Sequence, residues 1–157
     1  MDAKVDIVLA TYKTNIEYLK KQVDSILNQT FENIKLIISD DNSNDSNLRK
    51  ILEEYSKKDK RVELYFQEKN LGYIKNFEFL LNKSTAEYIM FSDHDDIWYP
   101  NKVEESLKEI ELTNTDLVYV NSKQIDSEGK IIHKDYFKYK NMPLISGKSK
   151  LAISRCI

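Results

Sequence analysis

The chain has 157 residues, 41% hydrophobic and 32% charged, long enough for one domain with a buried core. Its net charge of −2 offers no electrostatic draw for nucleic acid, and one Cys (Cys156) with two His excludes an internal disulfide framework and an ordinary structural zinc site. No apolar run approaches the length of a membrane span and residues 1–13 lack the layout of a signal peptide, so the expected location is the cytoplasm, with peripheral contact at the inner face of the membrane left open.

Residues 5–10 (VDIVLA) form a short apolar run that reads as a buried strand. Thr14 and Glu17 have the spacing of a capping box, and Ile16, Leu19, Val23, Ile26 and Leu27 follow at helical spacing. Residues 34–39 (IKLIIS) predict a second strand that ends in Asp40-Asp41. A polar loop, NSNDSN, leads to a helix carrying Leu48, Ile51, Leu52 and Tyr55, and residues 62–66 (VELYF) predict the third strand. Residues 69–72 (KNLG) read as a turn before a helix with Ile74, Phe77, Leu80 and Leu81. Residues 88–92 (YIMFS) predict a fourth strand, which delivers the acidic stretch DHDD. Pro100 suits the first position of the next helix, whose apolar face carries Val103, Leu107 and Ile110. Residues 116–121 (DLVYVN) predict a fifth strand and 124–133 a hairpin turning at DSEG. The last two dozen or so residues show no periodicity that assigns an element.

Four alternations of strand and helix predict an α/β fold, a mostly parallel open sheet with helices on both faces and right-handed crossovers. Thr11-Tyr12, Asp40-Asp41, Asn70 to Gly72 and Asp93 to Asp96 all then follow the carboxyl ends of strands. In an open α/β sheet that edge is where ligands bind.

Each cluster has two readings. Asp93, Asp95 and Asp96 read either as a solvated loop with a helix-capping Asp or as oxygen ligands for Mg²⁺ or Mn²⁺, with substrate phosphates filling the other positions. In extended chain, Asp93 and Asp95 would point the same way and Asp96 elsewhere. Asp41 reads as a turn residue or as an acceptor for a base N–H, and Tyr12 as a surface tyrosine or a ring stacked on a nucleobase. Gly72 reads as a turn glycine or as room for a ligand against the backbone. Lys75 and Asn76 would sit at the positive end of the following helix, where a phosphate could bind.

Other signals carry little. Ser146-Gly-Lys-Ser149 echoes the end of a phosphate-binding loop, but Met142 stands where the first Gly belongs. The sequons at Asn28, Asn44 and Asn82 matter only in a secreted chain, and His133 reads as structural or solvated. Lys138, Lys140, Lys148 and Lys150 read as a solvated face, with an anionic lipid-linked acceptor as the lesser alternative.

Taken in order, VDIVLATYKTNIEYLKKQVDSILNQTFENIKLIISDDNSND, KNLGYIKNFE and YIMFSDHDDIWYPNKV resemble family 2 glycosyltransferases of the GT-A fold, over roughly the first 105 residues. SDHDDIWYPNK is most similar to the rhamnosyltransferase-like subgroup, which acts on polysaccharide precursors. The resemblance implies that Thr11 and Tyr12 lie against base and ribose and that Asp41 bonds the base. It also implies that Asn70, Gly72 and Lys75 line the nucleotide pocket. Asp93-x-Asp95 matches the family's Asp-x-Asp element. That match implies Asp95 as the direct metal ligand and Asp93 toward the sugar or ribose, with Asp96 able to substitute as a ligand. Lys75-Asn76 departs from the Arg that many members carry there.

What the resemblance implies for activity is an inverting transfer from a UDP- or dTDP-linked sugar to a saccharide or lipid-linked acceptor, in cell-surface polysaccharide synthesis. Mn²⁺ or Mg²⁺ would neutralise the departing diphosphate, the transition state would be oxocarbenium-like, and a general base would activate the acceptor hydroxyl. In relatives that base is an Asp or Glu well after the Asp-x-Asp element, and Asp126, Glu128 and Asp135 match no such motif, so none is assigned. The expected organisation is a nucleotide-sugar-binding core over 1–122, with 123–157 as a hairpin and the start of the acceptor side of a longer enzyme. The alternative is a chain that binds the nucleotide sugar without turnover.

Overall fold

Strands buried on both faces are apolar along most of their length, and VDIVLA and IKLIIS meet that demand apart from Asp6, Lys35 and Ser39. The computed structural model describes residues 4–141 and the backbone of 151–154. Met142, Cys156, Lys148, Lys150 and the 146–149 stretch lie outside the described residues. The chain divides into two units, Met1–Trp98 and Tyr99–Ile157.

The first unit runs β1 (Val5–Thr11), α1 (Ile16–Leu27), β2 (Ile34–Asp40), α2 (Ser46–Lys58), β3 (Val62–Phe66), α3 (Tyr73–Lys83) and β4 (Tyr88–Ser92). Its four strands are all parallel, in the order β3-β2-β1-β4. Successive strands step outward from β1 to β3, and the chain then crosses back to place β4 on the other side of β1. That reversal opens a crevice at the carboxyl ends of β1 and β4. Register sets its floor: Thr11 lies beside Asp40, while β4 ends with Ser92 beside Leu9.

Side-chain alternation divides the core into two layers. Val8 and Ile37 face α3, where Leu80 covers them with Phe77, Tyr65 and Ala10 around the edge. Ile7, Leu9, Leu36 and Ile38 are equally buried and belong to the opposite face. Right-handed crossovers put α1 and α2 on that face, with Leu19, Val23, Ile26, Leu48 and Leu52 buried. The two helices touch through Tyr55 of α2, whose hydroxyl donates to Asp24 of α1 at 2.8 Å. Burial, together with that carboxylate, pushes the Tyr55 phenol well above its ordinary value.

Local signals differ from expectation at one helix start in this unit. Asn15, not Thr14, caps α1, accepting from the backbone N–H groups of Glu17 and Tyr18 at 2.9 and 3.3 Å. Asp6, inside the apolar run of β1, is fully buried and accepts from the Ser84 hydroxyl and the Thr85 and Ala86 N–H groups, which fixes the α3–β4 loop.

The second unit holds α4 (Lys102–Thr113), β5 (Leu117–Val120), β6 (Gln124–Ile125), β7 (Ile131–His133), α5 (Tyr136–Tyr139) and β8 (Leu151–Ser154). Asn101 is the cap residue of α4, so Pro100 lies one residue before the cap rather than at the first helical position. β6 and β7 form the expected hairpin, with Asp126 accepting from the Glu128 and Lys130 N–H groups and Gly129 at φ +84°. β5 pairs in parallel with β8, an element with no local signal in the sequence. No helix among the described residues is long and apolar enough to cross a membrane.

Candidate functional site

Thr11 ends β1 almost fully buried, and its hydroxyl donates to Asp40 Oδ1 at 3.0 Å. Asp40 also accepts from the Ser43 hydroxyl and from the Ser43 N–H at 2.9 Å. Ser43 Oγ in turn accepts from the Lys13 N–H at 2.9 Å. Lys13 takes a left-handed φ of +48°, and Tyr12 just before it is 43% exposed. This buried carboxylate knot therefore fixes the backbone on which an exposed aromatic ring is carried.

Asp41 does the corresponding work at β2. Its N–H donates to the Thr11 carbonyl at 2.8 Å, and its side chain is 2% exposed. Oδ1 accepts from the Leu71 N–H at 2.7 Å and Oδ2 from the Gly72 N–H at 2.9 Å. Asn70 Nδ2 donates to the Asp41 carbonyl at 3.1 Å. The β3–α3 loop is thus strapped to the sheet edge. Gly72 has φ +79° and ψ 157°, a region that residues with a Cβ avoid, while open space surrounds its missing Cβ. The backbone angle, not crowding, requires glycine here.

These loops enclose a cavity of about 430 Å³ with Tyr12, Asp41, Asn70, Gly72, Asp93 and His94 in its lining. Thr11, Tyr73, Asn76 and Phe77 complete most of the wall. Asn76 is buried, donates to the Ser39 carbonyl at 3.0 Å, and keeps an Oδ1 with no partner among the described residues. A larger cleft of about 860 Å³ lies at the amino ends of the strands, and two of its three cations are already engaged. Lys35 pairs with Asp6 and Glu63, and Arg61 with Asp59. The smaller crevice gathers the polar residues that follow the carboxyl ends of the strands.

Lys75 is not part of the lining. It is mostly exposed and pairs with Glu78 along the outer face of α3. The N–H groups of Leu71 and Gly72, just before α3, are already given to Asp41, and no side chain caps the first turn of the helix.

The acidic loop turns at His94-Asp95 as soon as β4 ends, so the extended-chain alternation expected of Asp93 and Asp95 does not apply. Asp93 and His94 face the cavity; Asp95 and Asp96 are exposed and outside its lining. Among the described residues no three His, Cys, Asp or Glu side chains gather as a ready-made metal set. The donors present still fit Mg²⁺ or Mn²⁺, which take one or two carboxylates and complete their shell with water and phosphate oxygens. The side chains of Asp93 and Asp95 are exposed and committed to no other group among the described residues.

Gln22 holds this loop, and the sequence reading passed over it. It is fully buried on the apolar stripe of α1, between Leu19 and Ile26. Oriented by its neighbours, Oε1 accepts from Trp98 Nε1 at 3.0 Å and from the Ser92 hydroxyl, and Nε2 donates to the Asp96 carbonyl. A polar residue at a buried helical position was the available signal.

Comparison with known proteins agrees with this geometry. The sequence model described as Glycosyl transferase family 2 matches residues 6–155. An uncharacterized glycosyltransferase of Methanocaldococcus jannaschii is 33% identical over 153 residues, 95% of this chain and 53% of that protein. One from Rickettsia bellii is 36% identical over 131 residues, 83% of this chain and 18% of its own length. The chain spans about half or less of these relatives. S. aureus TarS 1–349, solved with UDP-GlcNAc, superposes with a TM-score of 0.71 at 23% identity, over 79% of this chain and 36% of that one. The mannosyltransferase PcManGT of Pyrobaculum calidifontis, solved with GDP-Man and Mn²⁺, gives 0.69 at 15% identity, over the same shares. These superpositions show a GT-A fold.

Proposed function

The chain belongs to glycosyltransferase family 2, and from that premise we propose that its cavity binds a nucleoside diphosphate sugar for inverting transfer to a saccharide or lipid-linked acceptor. The observation that carries this reading is the convergence of Tyr12, Asp41, Gly72 and Asp93, from the loops after four successive strands, on one cavity of about 430 Å³. Tyr12 offers a face to the base, and the spare lone pairs of Asp41 accept from it. Asp93 faces the ribose or sugar, and Asp95 with Asp93 holds the cation, Asp96 being close enough in sequence to substitute. Bound there, Mn²⁺ or Mg²⁺ supplies positive charge against the departing diphosphate. That role matters because no lysine or arginine among the described residues lines the cavity. The proposed setting is polysaccharide synthesis in the cytoplasm at the inner face of the membrane. Its support is the likeness of SDHDDIWYPNK to rhamnosyltransferase-like enzymes.

A second reading, donor binding without turnover, is favoured by the duties of two late carboxylates. Asp126 closes the β6–β7 turn, and Asp135 accepts from Asn121 Nδ2 and from the Lys138 N–H. Both are engaged in holding local structure.

Calorimetry with UDP, dTDP and GDP, with and without Mn²⁺, tests the site. Metal-dependent binding of at least one is expected; no binding of any removes the proposal. Consumption of UDP-GlcNAc or GDP-Man then separates transfer from binding alone.

A further inference from the structure

Gln22 touches the acidic turn at both ends and in the middle. Ser92, where β4 stops, donates its hydroxyl to Oε1, and Trp98, where the turn closes, donates Nε1–H to the same oxygen. Asp96, between them, accepts from Nε2 through its carbonyl. The second Nε2 hydrogen reaches Ser25 Oγ at 3.2 Å. Ser25 Oγ also accepts from the Trp98 N–H at 3.0 Å and donates to the Gln22 carbonyl at 2.8 Å. All four hydrogen-bonding positions of the amide are therefore filled, inside a site where Gln22, Ser92 and Trp98 are 0%, 1% and 4% exposed. A closed buried network of this kind has one low-energy arrangement, because each member left unpaired costs its full desolvation.

The carboxylates of Asp93 and Asp95 have no comparable support. Asp93 and Asp95 are exposed and make no side-chain hydrogen bond among the described residues. Their positions are inherited from the backbone that Gln22 and Ser25 hold. The base end of the cavity hangs from different groups, Asp40, Ser43 and Asp41, and shares no residue with the Gln22 network.

We propose that Gln22 is a positioning residue: from α1 it sets where the Asp93–Asp95 turn stands, and so governs binding of the diphosphate and its cation while leaving binding of the nucleoside alone. The second half of this statement rests on the nucleotide reading of the cavity; the first does not.

Gln22→Leu keeps the apolar stripe of α1 and deletes the network, and Trp98→Phe removes one donor while keeping an aromatic ring in place. Trp98 is the single tryptophan of the chain, so its quenching by acrylamide reports the turn directly, without any ligand. In folded Gln22→Leu, quenching is expected to rise and UDP affinity in Mn²⁺ to fall about ten-fold, while uridine affinity stays as in the unmodified chain. Trp98→Phe is expected to show the same split in smaller measure, and serves as the test if Gln22→Leu does not fold. Unchanged Trp98 quenching, or uridine and UDP affinities falling together, overturns the proposal. An unmodified chain that binds no UDP overturns the nucleotide reading instead, and the quenching result still decides whether Gln22 holds the turn.

Discussion

Asp41 and Gly72 are thirty-one residues apart, yet a carboxylate oxygen of the first lies 2.9 Å from the backbone nitrogen of the second. The other oxygen holds the Leu71 N–H at 2.7 Å. In Asp41→Asn one of these N–H groups faces an amide NH₂ instead of an acceptor. We expect a loss of about 1–3 kcal/mol in urea denaturation, the cost of a buried donor left without a partner. Uridine affinity should fall with it, because the loop that walls the cavity loosens. A variant as stable as the parent chain would show that the strap carries no energy.

Tyr12 projects from a backbone fixed by the Asp40 knot, with its ring 43% exposed at the cavity. Tyr12→Ala is expected to weaken UDP binding by about 1–2 kcal/mol, the scale of one lost base–aromatic stack. Pyrophosphate affinity, measured on the same sample, should not move. Equal losses for the two ligands would argue against stacking.

Asp95→Ala is expected to remove the Mn²⁺-dependent part of UDP binding, and Asp93→Ala to weaken UDP with and without metal, since only Asp93 faces the cavity. Titration of Mn²⁺ by electron paramagnetic resonance, with UDP present, reads the first effect. Full Mn²⁺ binding by Asp95→Ala would move the ligand role to Asp93 or Asp96.

Far from the crevice, Arg61 Nη2 donates to Asp59 at 2.7 Å, and that hydrogen bond holds the Asp59 carboxyl below its ordinary value. A carboxyl depressed on folding stabilises the folded chain above its unfolded pKa, about 3.9, and the stabilisation is lost as pH falls through the folded value. Both side chains are a quarter exposed, so solvent screening keeps the effect small. Stability of the parent chain should fall more steeply below about pH 4 than that of Asp59→Asn. Parallel pH profiles would exclude a role for this pair in acid unfolding.

The central strands β1 and β2 are legible because a strand covered on both faces is almost wholly apolar, and the edge strands β3 and β4 still begin and end where VELYF and YIMFS do. Helix starts are less so. Thr14 and Asn15 are both capping residues, and which one serves depends on where the sheet releases the chain. β8 leaves no trace, because its partner β5 lies more than thirty residues away and nothing local specifies the pairing. In the cavity, residues that follow strand ends are legible from position alone. Lys75 and Asn76 are not, because neighbouring helical residues point about 100° apart. Asn76 turns inward and Lys75 outward to Glu78. Gln22 escaped notice for a related reason: helical periodicity marks a face as buried but does not say what a polar side chain on it will meet.

The crevice hangs from two suspensions that have no atom in common, one built around Asp40 and Asp41 and the other around Gln22. If the crevice holds a nucleotide sugar as proposed, a designer could retune which nucleoside is admitted by editing the first without disturbing the diphosphate end held by the second. Lineages that trade one activated sugar for another would have the same freedom, with each half of the pocket drifting on its own clock.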